Sequence, residues 1–255
     1  KYWQLGNFIS EKYNTKINEK EFISEIDDLI HDSVRQRMLA DVPIGCFLSG
    51  GIDSSLVASI MQKNSTSKIN TFTIGFKESN YNEAIYAKKI AEHLNTNHNE
   101  FYFSDSEALD VIPYISSIYD EPFADSSQIP TYILSKFTGK SVKVSLSGDG
   151  GDEIFRGYNR YNWAKKFSKF NYYINNFIRV QISNFIKYAP YPLVENNTIN
   201  RVVPNIKNKL DKISDIIKLE TKEEIYSYLI KNNNAVTKIL NYDFVDKNIF
   251  DYIRY

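Results

Sequence analysis

A short apolar run, Ile44-Gly45-Cys46-Phe47-Leu48, passes directly into Ser49-Gly50-Gly51-Ile52-Asp53-Ser54-Ser55 and then into a helical pattern that continues to Gln62. Strand, glycine turn and helix in immediate succession form the unit of a parallel α/β sheet, because a helix must cross back over the sheet before the next parallel strand can begin. The alternation continues downstream. Further strands are predicted over residues 71–76, 99–103 and 142–147, and helices over 82–94, 108–119 and 129–137. Upstream, Phe22, Ile26, Leu29, Ile30, Val34 and Met38 recur at helical spacing and predict a helix over 18–41, opened by Asn18 and Glu21 placed as a capping box and stopped by Pro43. The expected fold is α/β, a doubly wound, Rossmann-like parallel sheet whose ligands bind at the carboxyl ends of the strands.

The character of the chain changes near Gly157. All ten glycines lie at or before that residue, so left-handed turns and close backbone approaches to a ligand belong to the first part of the chain. Charge divides at the same place. Residues 1–157 carry 15 Lys+Arg against 22 Asp+Glu, and residues 158–255 carry 16 against 9, so two halves of about −7 and +7 sum to the net zero of the chain. Beyond Tyr158 the sequence is rich in Tyr, Phe, Ile, Asn and Lys, interrupted by Pro190, Pro192 and Pro204, with a second capping box at Thr221 and Glu224. It reads as a helical region with the Asn232-Asn233-Asn234 run at a helix end. With a pI near 7.0, no overall basic field calls for a nucleic-acid partner, and no apolar window suits a membrane span. The lone Cys46 excludes an internal disulfide and reads as a small core residue, and with no signal peptide the expected location is cytoplasmic. His31, His93 and His98 form no ligand set and are each expected to be structural or exposed.

Residues 49–55 offer an anion three kinds of donor. The glycines expose backbone amides, Ser49, Ser54 and Ser55 add hydroxyls, and the following helix directs its positive end at the same spot. The loop is not a Walker A motif, since no lysine follows its glycines. Asp53 inside a phosphate cradle is reasonable if it holds a Mg²⁺ that bridges to the phosphates. A second loop, Ser147-Gly148-Asp149-Gly150-Gly151-Asp152-Glu153, also follows a predicted strand. Its carboxylates raise one another's pKa unless cations or hydrogen-bond donors offset them, so metal binding and base catalysis compete with an acidic surface turn.

The stretch from Asp41-Val42-Pro43 through Ser55 resembles the pyrophosphate-loop signature of the asparagine synthetase family. Thr71-Phe72-Thr73-Ile74-Gly75-Phe76, then Asp120-Glu121-Pro122-Phe123-Ala124-Asp125-Ser126-Ser127 with Ile129-Pro130, then the segment from Leu146 to Tyr158, agree with that family in the same order. The resemblance covers about residues 20–161. It implies an ATP-pyrophosphatase core of the adenine nucleotide α-hydrolase type over 18–160, a helical part of the synthetase domain over 161–255, and residues 1–17 as a linker from an N-terminal glutaminase domain that this chain lacks. The implied reaction is amidation of a carboxylate, aspartate by default: the acid attacks the α-phosphorus of ATP, pyrophosphate leaves, and ammonia from the glutaminase displaces AMP. By the same resemblance, Ser49, Gly50, Gly51, Asp53, Ser54 and Ser55 hold pyrophosphate. Leu48, Ile74, Gly75, Ser147 and Gly148 line the AMP moiety, Asp53 and Asp152 hold Mg²⁺, and Asp149, Asp152 and Glu153 are the catalytic acids. A homodimer is compatible with the family. Asp149 and Arg156 depart from its usual Glu and small residue, which leaves a sugar acid or a β-lactam precursor open as the acyl substrate; Arg156 pairs either with a substrate carboxylate or with Glu153. Rival readings are another pyrophosphate-loop enzyme, tRNA-modifying or NAD-forming, and a scaffold that keeps the fold without catalysis.

Overall fold

The computed structural model describes residues 18–76, 82–121, 125, 127–188 and 206–230. Residues 1–17, the segment Pro122-Phe123-Ala124 with Ser126, the three prolines at 190, 192 and 204, and the run from Asn232 lie outside the described residues. The chain divides into two compact units, Lys1–Asp152 and Glu153–Tyr255. The sequence-based boundary after residue 160 instead falls inside a helix, Asn159–Tyr173.

In the first unit, helix α1 (Glu19–Arg37) precedes β1 (Ile44–Phe47), α2 (Ile52–Asn64), β2 (Asn70–Phe76), α3 (Ala84–Leu94) and β3 (Asn97–Phe103). Then come α4 (Asp105–Val111), a 3-10 turn (Ile112–Tyr114), α5 (Ile115–Ile118), α6 (Gln128–Thr138) and β4 (Val144–Leu146). The four strands are all parallel in the order β3-β2-β1-β4. Two cores cover the two faces, as a doubly wound sheet requires. On one, Cys46 and Leu48 meet Val34, Ala58, Met61 and Ala87 from α1, α2 and α3. On the other, Phe103 meets Val111 and Ile133 from α4 and α6, with Ile74, Phe76 and Phe101 beside them. The Phe101 and Phe137 rings stack at 5.0 Å. Alternation along the strands assigns each side chain to its face. Gly45 is glycine because the Phe72 ring occupies the space its side chain would need, 2.6 Å from an ideal Cβ.

Local chemistry sets the element ends. Asn18 caps α1 by accepting from Lys20 N at 3.1 Å, two residues on, where the capping box expected with Glu21 would use the amide three residues on. The single helix expected over 108–119 is instead broken, since Pro113 supplies no N–H and the chain tightens into the 3-10 turn. Its true start is Ser104, which accepts from Glu107 N (3.4 Å) while Glu107 accepts from Ser104 N (2.7 Å). Cys46 is fully buried, and burial pushes its thiol up to about 12, so it behaves as a small hydrophobe. His98 shares a hydrogen bond between Nδ1 and Thr71 Oγ1 at 2.9 Å on the sheet face, a structural role.

The second unit is helical: α7 (Gly151–Phe155) leads into it, followed by α8 (Asn159–Tyr173), α9 (Asn176–Lys187), α10 (Ile206–Lys218) and α11 (Lys222–Ile230). Helices α9 and α10 meet at Ser183 and Ser214, both buried, whose hydroxyls lie 2.8 Å apart and each bond the other's backbone carbonyl. Two buried polar side chains close the end of α10. Arg179 donates to Ile217 O (3.0 Å) and Leu219 O (2.7 Å), and Asn171 donates to Ile216 O (3.2 Å) and Leu219 O (2.8 Å). The terminal carbonyls thereby gain donors, and the guanidinium sits at the negative end of the helix dipole. The Thr221 and Glu224 box holds as expected, with Glu224 N donating to Thr221 Oγ1 and Thr221 N to Glu224 Oε2.

Candidate active site

Strand order places both glycine loops at one point. The chain steps from β1 outward to β2 and β3, then crosses back to pair β4 on the other side of β1. The crevice at the carboxyl ends of β1 and β4 is therefore the topological switch point, where open α/β sheets hold their ligands. Residues 49–55 leave β1 there and residues 147–152 leave β4.

The first loop is folded by its own hydroxyls. Ser54 Oγ receives Ser49 N at 3.2 Å and lies 2.9 Å from Ser49 Oγ, while Ser55 Oγ donates to Gly51 O at 2.5 Å. Gly50 adopts φ +85° and presses on Tyr86 and Ala87 of α3, where an ideal Cβ would stand 2.8 Å from Tyr86 Cβ, so both conformation and space demand glycine. Gly51 caps α2 with no side-chain bond to its first-turn amides. Those amides carry the positive end of the helix dipole and are donors suited to an anion. Asp53, in the first turn, also complements that dipole.

The second loop is seated directly on this helix start. A Cβ on Gly148 would lie 2.6 Å from Ser54 N and 2.8 Å from Asp53 C; one on Gly151 would lie 2.5 Å from Asp53 Cγ. Three of the five loop glycines, Gly50, Gly148 and Gly151, thus serve close packing, and two of them bring Asp53 against the residue that precedes Asp152. Asp149, exposed, accepts from Ser147 Oγ at 2.9 Å. Gly150, with φ +90° and open surroundings, turns the loop.

The remaining selected residues are more scattered. Leu48 is buried, its N–H donating to Phe72 O at 2.8 Å, and its side chain joins the α2 and α3 core. Ile74 packs in the core on the opposite face, so only its backbone is directed along the strand end. Gly75 lies beneath the Tyr102 ring. Glu153 belongs to the second unit, where Tyr158 Oη donates to its Oε1 at 2.6 Å and holds the carboxyl below the usual carboxylate range. Arg160, 3.8 Å over the Tyr158 ring, adds a weaker pull in the same direction. Sequence reasoning missed Tyr158, although an aromatic hydroxyl five residues beyond an acid at a helix end was there to be noticed. Of the two alternatives for Arg156, pairing with Glu153 is not the arrangement seen: α7 ends at Phe155, Arg156 takes φ +60°, and its guanidinium lies 5.9 Å from the Tyr161 ring centre.

Among the described residues, no group of three or more His, Cys, Asp or Glu converges on a metal position. Mg²⁺ commonly takes one or two protein carboxylates and completes its shell with phosphate oxygens and water, so Asp53 and Asp152 fit a metal that arrives with a nucleotide.

The family model for asparagine synthase matches residues 25–246. The chain belongs to the asparagine synthase family. Members of that family are ATP-dependent carbon–nitrogen ligases, and the match decides against a tRNA-modifying or NAD-forming relative. The glutamine-hydrolysing asparagine synthetase 1 of Bacillus subtilis is 41% identical over 143 residues, covering 56% of this chain and 22% of that protein. A protein of Methanocaldococcus jannaschii, provisionally named glutamine-hydrolysing asparagine synthetase 2, is 37% identical over 233 residues, covering 91% of this chain and 42% of its own length. The chain therefore spans less than half the length of the curated relatives it matches. Among solved structures, an NH3-dependent NAD synthetase from Campylobacter jejuni in complex with nitrate aligns over 78% of this chain and 97% of its own, with a TM-score of 0.35 and 12% identity, a likeness too slight to carry an argument. Among the described residues, no helix is long and apolar enough to cross a membrane.

Proposed function

We propose that this chain is the ATP-using part of a glutamine-dependent amidotransferase, activating a carboxylate as an acyl-adenylate for attack by ammonia. The observation that carries this reading is the seating of Gly148 and Gly151 on Asp53 and Ser54, which joins an uncapped helix start to a carboxylate-bearing loop at the sheet's switch point. In this reading Ser49, Gly50, Gly51, Ser54 and Ser55 cradle the pyrophosphate leaving group. Leu48, Ile74, Gly75, Ser147 and Gly148 border the AMP moiety. Asp53 and Asp152 would hold Mg²⁺, which when bound would offset phosphate charge. Asp149 faces the acyl group and the incoming ammonia, with Ser147 Oγ fixing one of its oxygens. Ammonia comes from a glutaminase, and the acyl substrate is aspartate by default, with a sugar acid or a β-lactam precursor as the alternatives that Asp149 keeps in play.

The reaction makes its first step reversible in isolation, so exchange of labelled pyrophosphate into ATP tests the reading without ammonia. Exchange that requires Mg²⁺ and is stimulated by aspartate supports both activation chemistry and substrate. Stimulation only by another acid reassigns the substrate, and absence of exchange with any carboxylate in a chain that binds ATP contradicts adenylation.

A further inference from the structure

The sequence divides its charge, yet the proposed chemistry uses only the acidic half. In the second unit, α8 runs Asn159–Tyr173 with Arg160, Lys165, Lys166 and Lys169 and no acid at all. One face of α8, together with α11, borders an open groove of about 580 Å³ whose cations are exposed. Four cations reach it: Arg156, Lys165, Lys169 and Lys222. Its lining includes no carboxylate, and among the described residues none of the four forms an ion pair. Lys165 and Lys169 stand one turn apart, a like-charge arrangement that costs stability unless an anion offsets it.

The other walls are aromatic. Tyr161 and Tyr226 stack at 5.7 Å with an interplanar angle of 13°, and Tyr172 and Tyr173 meet edge to face at 5.2 Å. Arg156 reaches the lining from a left-handed backbone conformation (φ +60°) that few non-glycine residues adopt. A groove of this size suits a small organic ligand, and flat tyrosine faces beside converging cations suit a ring that carries more than one negative charge.

We propose that the α8–α11 groove is a binding site for an organic phosphate that bears a flat ring, with the phosphate held by Lys165, Lys169, Lys222 and Arg156 and the ring against the tyrosines. A single carboxylate would leave most of that charge unbalanced, whereas a phosphate monoester brings nearly two charges and three acceptor oxygens. The site lies wholly within the second unit and stands independently of the adenylation reading.

Phenyl phosphate is the probe, titrated into the 255-residue chain with inorganic phosphate and phenol as controls and calorimetry as the readout. Phenyl phosphate binds more tightly than either control, and Lys165→Gln with Lys169→Gln weakens it by about tenfold or more, as expected for lost charge-assisted contacts. Gly148→Ala, at the first unit's loops, leaves this binding unchanged. Because the double variant can fail to fold, Lys222→Gln and Arg156→Gln are tested singly, and the same ordering among the three probes is required. Equal binding of phenyl phosphate and inorganic phosphate overturns the ring's role, and no binding of either overturns the site. Far tighter, steeply salt-dependent binding of a short single-stranded oligonucleotide overturns the small-ligand assignment in favour of a nucleic-acid strip.

Discussion

Replacing Gly148 with alanine places a methyl group 2.6 Å from Ser54 N, 2.8 Å from Asp53 C and 2.9 Å from Asp53 Cβ. The nearest two atoms are helix backbone and cannot swing aside. Reaching an ordinary 3.4 Å contact from 2.6 Å requires the second loop to withdraw from α2 by 0.8 Å. Overpacking of this kind costs about 1–3 kcal/mol, which leaves a folded sheet with its two loops separated. A misplacement near 1 Å in a phosphate-transfer site is enough to lower activity by about a hundredfold. Gly51→Ala is the matched control for stability, since its nearest non-neighbouring atom is Ser49 Oγ at 3.4 Å and its φ of −74° suits any residue; a loss of only about 0.5 kcal/mol is expected there. Urea unfolding and carboxylate-dependent pyrophosphate exchange, measured on both variants, give the comparison. If Gly148→Ala matches Gly51→Ala in stability and keeps the parent's rate of exchange, the close seating of the loops has no functional consequence and the reasoning is refuted.

Arg179→Met removes two hydrogen bonds to the end of α10 and should lower stability by about 2–4 kcal/mol in urea unfolding; a midpoint that is unchanged or raised shows that the buried cation contributes nothing there. Burial holds His98 below its ordinary value near 6.5, with Lys88 assisting and Glu100 and Glu92 opposing. The unfolded chain then takes up a proton before the folded one does, so stability is constant above about pH 6.5 and falls as pH drops from there towards the folded-state value. Thermal midpoints between about pH 7.5 and 5.5 should show that fall, reduced in His98→Gln, and an identical slope in the two proteins would exclude His98 as its source.

Much of the fold could be read from local signals, because parallel strands announce themselves as apolar runs and glycine turns mark their ends. The residues from Ile44 to Ser55 gave strand, loop and helix start nearly as observed. What could not be read depends on partners distant in sequence. Nothing in the text near Gly148 says that it rests on Ser54, although the choice of glycine follows from that contact. Arg179, Ser183 and Ser214 read as polar residues on anonymous helices, and only packing shows them buried against one another's backbones. Two misses were local and avoidable: Pro113 inside a presumed helix, and the Ser104 and Glu107 box that opens the one before it. The site shows the same division. Loop chemistry identified the residues at the switch point, whereas the placement of Ile74 in the opposite core and of Glu153 in the second unit needed the three-dimensional arrangement.

The central claim, a metal-assisted pyrophosphate cradle at the carboxyl ends of β1 and β4, is tested most directly by calorimetric titration of ATP with Mg²⁺ into this chain and into Asp53→Ala. The account expects binding that requires Mg²⁺ and is lost in the variant while its thermal midpoint stays close to the parent's. Binding that is indifferent to both Mg²⁺ and Asp53 would contradict it.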